Sequence, residues 1–205
     1  MNFLDFRSRM FPLACFNVNQ VYAWQPDFNR NNLVRRTSQG LIIRLRQGYY
    51  TFPEYLTRAD YPYYFANRIY RPSYVSLHTA LASYGMIPEA VTHITSVTSL
   101  KTASFSNPAG VFTYQSVRED IMFGYISWEM ADGHSIFFAT PEKALTDLLY
   151  LYPFYNSPRE MTELRLDDYF LNEELNRDLL LEYSSRIKVK ALDKRVKMLL
   201  TSYNL

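Results

Sequence analysis

Along the first 52 residues, apolar positions recur at helical spacing and then switch to alternation. Phe3, Phe6 and Met10 are spaced to share one side of a helix over residues 2–10. Phe11-Pro12 breaks or redirects it, because proline does not fit a helix interior. Residues 16–24 (FNVNQVYAW) predict a second helix, with Asn17 as its cap and Val18, Val21 and Tyr22 as apolar contacts. Gln25-Pro26-Asp27 makes a turn. Asn29 then opens a third helix, which Gly40 ends because glycine adopts the left-handed conformation freely. In this third helix Leu33 and Thr37 share one face with Val34 at its edge, and Asn31, Asn32, Arg35 and Gln39 fall on the other. Ile43 and Leu45 next alternate with Arg44 and Arg46, and Gln47-Gly48 supplies a hairpin turn. Three helices followed by a basic two-stranded finger are the plan of a winged helix-turn-helix.

Residues 57–64 (TRADYPYY) are polar, aromatic and proline-containing, and read as a connection. A helix with Phe65, Ile69 and Tyr70 on its buried side follows and stops at Arg71-Pro72, since the residue before proline disfavours helix. Ser76 caps a helix over residues 77–84 that ends at Gly85. Residues 91–99 (VTHITSVTS) alternate and are rich in β-branched side chains, which suits a strand. Asn107-Pro108-Ala109-Gly110 turns a strand near Ala103 into one over residues 111–115. Residues 123–126 and 135–139 are two more strands, the second entered through the Asp132-Gly133 turn. Thr140, Pro141 and Glu142 cap, start and electrostatically complement a helix whose buried face is Ala144, Leu145, Leu148, Leu149 and Tyr152. Beyond Pro153 the pattern is helical, over residues 161–166, 171–183 and 189–202.

Composition adds limits. A length of 205 residues allows one large domain or two small ones, and 48% hydrophobic residues suit a packed core rather than global disorder. The net charge of +2 conceals a partition. Through Phe52 there are seven arginines against Asp5 and Asp27, a balance of +5. From Pro53 to Ser185 the balance is −8, and from Arg186 onward it returns to +5. Basic ends suit polyanions, and an acidic middle suits another task. Cys15 is the single cysteine, so neither an internal disulfide nor a cysteine zinc site can form. The start MNFLDFRSRMF carries charges where a signal sequence is apolar, and no apolar run is long enough to span a bilayer. A cytoplasmic protein without membrane contact is expected.

The third helix and the finger carry the sharpest chemistry. Arg35 and Gln39, with Asn31 and Asn32, have side chains that read base edges, arginine on guanine and amides on adenine. Arg30, Arg36, Arg44 and Arg46 are assigned to phosphates, the last two from the finger. No catalytic group, metal site or cofactor is expected. His78, His93 and His134 are scattered outside any H-E-x-x-H spacing, six glycines make no phosphate loop, and Glu142 is read as a helix-dipole partner. Tyr49-Tyr50 and residues 61–64 offer aromatic faces for single-strand stacking, against the preferred reading of half-buried tyrosines. In the last helix Leu192, Val196 and Leu199 make one stripe, opposite Lys190, Lys194 and Lys197, a candidate second basic face for phosphate or an acidic partner.

Several segments, in order, carry a family resemblance: LIIRLRQGYYTFPE, RPSYVSLHTALASYGMIPE, HITSVTS, NPAGVFTYQSV, FGYI and ATPEKALTDLLYL. With them the whole chain resembles the AbiEi-like antitoxins of abortive-infection (AbiE) type IV toxin–antitoxin systems. The resemblance implies a winged helix over residues 1–56 that represses its own operon by binding double-stranded DNA, at paired inverted half-sites. It also implies an antitoxin domain over residues 65–205 that counteracts a nucleotidyltransferase-like toxin encoded alongside. The expected class is therefore α+β, an N-terminal winged helix-turn-helix followed by a mixed α/β antitoxin domain with a helical C-terminus. The alternatives are a protein-interaction module or regulator of viral defence without a cognate toxin, and a nucleic-acid enzyme.

Overall fold

Two β-sheets organise the computed structural model, which describes residues 2–205. The first is small and antiparallel. Helix α1 (Phe3–Met10) precedes strand β1 (Cys15–Asn17), helices α2 (Val18–Trp24) and α3 (Asn31–Ser38), and strands β2 (Ile43–Arg46) and β3 (Tyr49–Thr51), with strand order β1-β3-β2. Strand β1 replaces the start of the helix expected from residue 16. Asn17 and Gln20 form a reciprocal capping box, which holds Asn17 in extended backbone and stops the helix from growing backwards. Cys15 and Phe16 are thereby left to pair with Thr51 and Tyr50. Helix α3 begins one residue later than a cap at Asn29 implies, at Asn31, whose amide donates to the Asn29 side chain at 2.9 Å. Phe6, Phe16, Phe28 and Phe52 fill the space between helices and sheet, with Phe6 edge-on to Phe16 at 5.6 Å.

The second sheet has six strands in the order β6-β7-β5-β4-β9-β8. These are β4 (Ser73–Val75), β5 (His93–Thr98), β6 (Ala103–Asn107), β7 (Gly110–Ser116), β8 (Tyr125–Glu129) and β9 (Ser135–Ala139). Pairs β5–β7 and β4–β9 are parallel and the others antiparallel, so the sheet is mixed. Helix α4 (Tyr61–Ile69) covers one face, where its Tyr63 lies edge-on to Phe138. Helix α6 (Pro141–Leu151) covers the other, where Asp147 accepts from Tyr74. Helix α5 (Leu77–Ser83) packs on β5 and α6, and α7 (Pro158–Thr162), α8 (Arg177–Ile187) and α9 (Lys190–Ser202) complete a helical layer over α6. The class is α+β.

Two sequence expectations are corrected in this region, and one unmarked strand appears. The supposed connection over residues 57–64 is half helix: α4 starts at Tyr61, and Tyr61 and Tyr64 are buried among aromatic rings. Strand β4 is interior to the sheet although nothing marked it, because three buried residues are too few to show a period. The helix expected over residues 171–183 is split into a π-turn (Phe170–Glu174) and α8, because Asn176 caps α8 by accepting from the Leu179 amide at 3.0 Å.

Helix α6 is buried almost all round. Thr140 caps it as expected, and Ala144, Leu145, Leu148 and Leu149 are inaccessible. So are Lys143 and Asp147, one turn apart, which form an ion pair inside the protein. Asp147 also accepts from Tyr74 Oη at 2.9 Å and Ser76 Oγ at 2.8 Å, so the carboxylate has several donors. Glu142 lies in the first turn of α6, where a carboxylate complements the helix dipole as expected. It is buried and accepts the Asn176 amide at 3.0 Å, joining α6 to the start of α8.

The two sheets are not independent. Their buried residues form one continuous cluster. Tyr64 Oη donates to the Leu13 carbonyl at 3.1 Å, and His134 bridges Asp132 and the Pro12 carbonyl with its two ring nitrogens. Among the described residues no helix is long and apolar enough to cross a membrane.

Candidate nucleic-acid interface

Helix α3 lies across the first core with Leu33 and Arg36 turned inward. Its outer stripe is Asn31, Val34, Arg35 and Ser38, all exposed, with Arg30 at its entry and Gln39 at its exit exposed as well. Asn32 is half-buried. The β2–β3 hairpin stands beside this helix, with Gly48 at φ +82°, a left-handed turn position that suits glycine. Among the described residues the arginines in ion pairs are Arg7, Arg58, Arg118, Arg159 and Arg165. Arg30, Arg35 and Arg44 therefore carry their charge to solvent without a carboxylate partner.

Between helix and hairpin runs an open groove of about 890 Å³. Arg30 and Val34 line one wall, Arg44 and Gln47 the hairpin side, and Ser106 and Pro108 the far end. That far end belongs to the β6–β7 turn, so the second sheet helps to shape the groove. An open, positively lined channel with hydroxyl and amide groups is suited to a polyanion.

One of the arginines assigned to this surface is buried, and a second borders the groove with its guanidinium tied down. Arg36 is 3% exposed. Its guanidinium lies 4.0 Å from the centre of the Phe6 ring, with the rings of Phe3 and Phe28 at 5.5 and 5.6 Å. Burial, reinforced by the neighbouring Arg35 charge, pulls its pKa down. The cause lies in the helix period: Arg36 is three residues from Leu33 and falls on the packed side. Arg46 is half-buried between the rings of Tyr70 and Phe105, at 4.9 and 4.5 Å, and donates to the Ile69 carbonyl at 2.6 Å. A β-bulge explains it. Leu45 is the extra residue, so Arg44 opposes Tyr50 while Arg46 opposes the adjacent Tyr49. The bulge breaks strict alternation, so Arg46 still borders the groove beside Arg44 but turns its guanidinium toward Tyr70 and Phe105.

Val34 is the converse case. Expected at the edge of the buried face, it is 64% exposed, in the middle of the outer stripe. A helical wheel alone cannot distinguish an edge position from an outer one until the angle at which the helix docks is known. The tyrosines considered for stacking are mostly interior: Tyr50, Tyr61 and Tyr64 are buried, and Tyr49 and Tyr63 half-buried. Lys190, Lys194 and Lys197 are exposed along α9, opposite the buried Leu192, Val196 and Leu199. Cys15 is buried, and burial, opposed by the Arg68 charge, pushes its thiol up to about 12. His78 is half-buried near Tyr152, and burial lowers its pKa. Among the described residues no group of three or more His, Cys, Asp or Glu side chains converges.

No protein-family model matches the chain, and no curated protein matches it.

Proposed function

We propose that the chain is a DNA-binding antitoxin of type IV character, which represses its own operon and counteracts a nucleotidyltransferase-like toxin. The single observation that carries the DNA-binding part is the exposed, unpaired trio Arg30, Arg35 and Arg44, distributed over one helix and the adjoining hairpin. The order α1, β1, α2, α3, β2, β3 with sheet order β1-β3-β2 supports reading this region as a winged helix-turn-helix. Helix α3 is then the recognition helix and the hairpin the wing. Asn31, Arg35 and Gln39 contact bases, and Arg30 and Arg44 contact phosphates.

The antitoxin part rests on the resemblance of the later segments. Two of them, RPSYVSLHTALASYGMIPE and ATPEKALTDLLYL, meet at one buried point, where Tyr74 and Ser76 donate to Asp147. Edge strand β8 gives this region a surface for a protein partner: Ile126 and Trp128 are 49% and 47% exposed on an unpaired edge.

Titration of the duplex upstream of the protein's own coding sequence tests the first part. Arg35→Ala and Arg44→Ala should each weaken binding, and Arg44→Ala should reduce the salt slope by about one. Unchanged affinity in both variants sinks the duplex reading. For the second part, co-expression with the neighbouring gene product should restore growth only when residues 65–205 are present. Rescue by an unrelated DNA-binding domain overturns the assignment of neutralisation to residues 65–205, and no toxic neighbour at all leaves a regulator without a toxin.

A further inference from the structure

We infer that Val34 reads the C5 methyl group of a thymine, and so sets part of the sequence preference of this surface. The inference rests on the duplex-binding reading of α3. Val34 is 64% exposed at the centre of a helix stripe whose other members, Asn31, Arg35 and Ser38, are polar. A single exposed valine is unremarkable in itself. This one also lines the groove, together with three cationic side chains, Arg30 one turn before it and Arg44 and Arg46 from the hairpin. An apolar group held between phosphate-seeking charges meets whatever those charges bring in. The largest apolar feature that a duplex presents in its major groove is the thymine methyl.

Valine suits that role physically. Its branched Cβ confines χ1 to essentially one rotamer in a helix, so both methyls are already oriented. Burying them against a thymine methyl therefore costs little side-chain entropy. Asn31 lies one turn earlier on the same face, about 4.5 Å along the helix axis. That rise exceeds the spacing of successive base pairs, about 3.4 Å, by roughly 1 Å, a gap the flexible amide side chain spans, so it is placed to read an adenine beside the thymine. Neither helix propensity nor packing explains a valine here, because valine is a poorer helix former than most long polar residues.

The test uses the full chain and a site selected from a pool of random duplexes. Each thymine of that site is replaced in turn by deoxyuridine, which lacks only the methyl. At one position per half-site the natural chain should lose about four-fold in affinity, the worth of one buried methyl. Val34→Ala should show a similar loss on the thymine duplex and no further loss on the deoxyuridine duplex, with its salt slope unchanged. Equal sensitivity of the two chains at every position overturns the inference while Arg35→Ala and Arg44→Ala still weaken binding. If those arginine variants are also without effect, the duplex reading itself fails and the inference falls with it. Val34 is exposed and alanine is the better helix former, so the melting temperature of the variant should not fall below that of the natural chain.

Discussion

The side-chain amide of Asn107 donates to the backbone carbonyl of Leu45 at 2.9 Å. Asn107 ends β6 in the large sheet, and Leu45 is the bulged residue of the hairpin in the small one. The finger beside α3 is therefore anchored by a distant part of the chain, 62 residues later. The same side chain accepts the Ala109 amide at 2.8 Å, which shapes its own turn.

Asn107→Asp keeps that acceptor and deletes the donor to Leu45. We expect a stability loss of about 1 kcal/mol. Amide exchange in the β2–β3 hairpin should accelerate, and duplex affinity should fall because the hairpin is less preorganised. Exchange rates unchanged between the two chains would show that the hairpin does not depend on this anchor.

Arg36 and Arg46 are expected to act on stability rather than on phosphates. Arg46→Ala removes a charged hydrogen bond and the cover over Tyr70 and Phe105, for a loss of roughly 2 kcal/mol. Arg36→Met keeps the stem against Phe6 and relieves a buried guanidinium whose Nη1 has no partner, so it should be neutral or stabilising. Urea midpoints measure both. In either variant, a fall in salt slope like that of Arg44→Ala would return the residue to the interface.

Lys143→Met should be far more damaging than its conservative volume suggests. It strands the Asp147 carboxylate in an inaccessible site, and a broken buried pair typically costs about 3–5 kcal/mol. Lys143→Met combined with Asp147→Leu should recover part of that loss, although Tyr74 and Ser76 then lose their acceptor. Denaturant unfolding of the two variants decides. A double variant no more stable than the single would mean that the carboxylate's neutral donors matter more than the lysine.

Asp132 supplies a pH dependence. Partial burial pushes its carboxyl up, but hydrogen bonds from Tyr61 and His134 outweigh that and hold it below the ordinary carboxylate value. A depressed carboxyl contributes stability that is present above its unfolded pKa, about 3.9, and is lost as pH falls through the lower folded value. The stability difference between the natural chain and Asp132→Asn should therefore be constant near neutrality and shrink in that acidic window. A difference that does not change with pH would remove the assignment.

What the chain alone determined is the chemistry confined to a few neighbouring residues. The Thr140-Pro141 start of α6, the turn at Gly48, the Asn107–Gly110 corner and the apolar stripe of α9 follow from caps, left-handed glycines and periodicity, which act within one or two turns. The basic helix-and-hairpin surface was visible for the same reason, in Arg30, Arg35 and Arg44. Tertiary structure alone decided which charges reach solvent. Arg36 shares a side with Leu33 by helix period and Arg46 follows a β-bulge, but the phenylalanine rings over the one and Tyr70 and Phe105 over the other come from distant elements. The interior fate of Lys143, the burial of Tyr61 and Tyr64 and the three-residue strand β4 have the same origin. Burial depends on partners far along the chain and on the angle at which elements meet, and neither is written in local spacing.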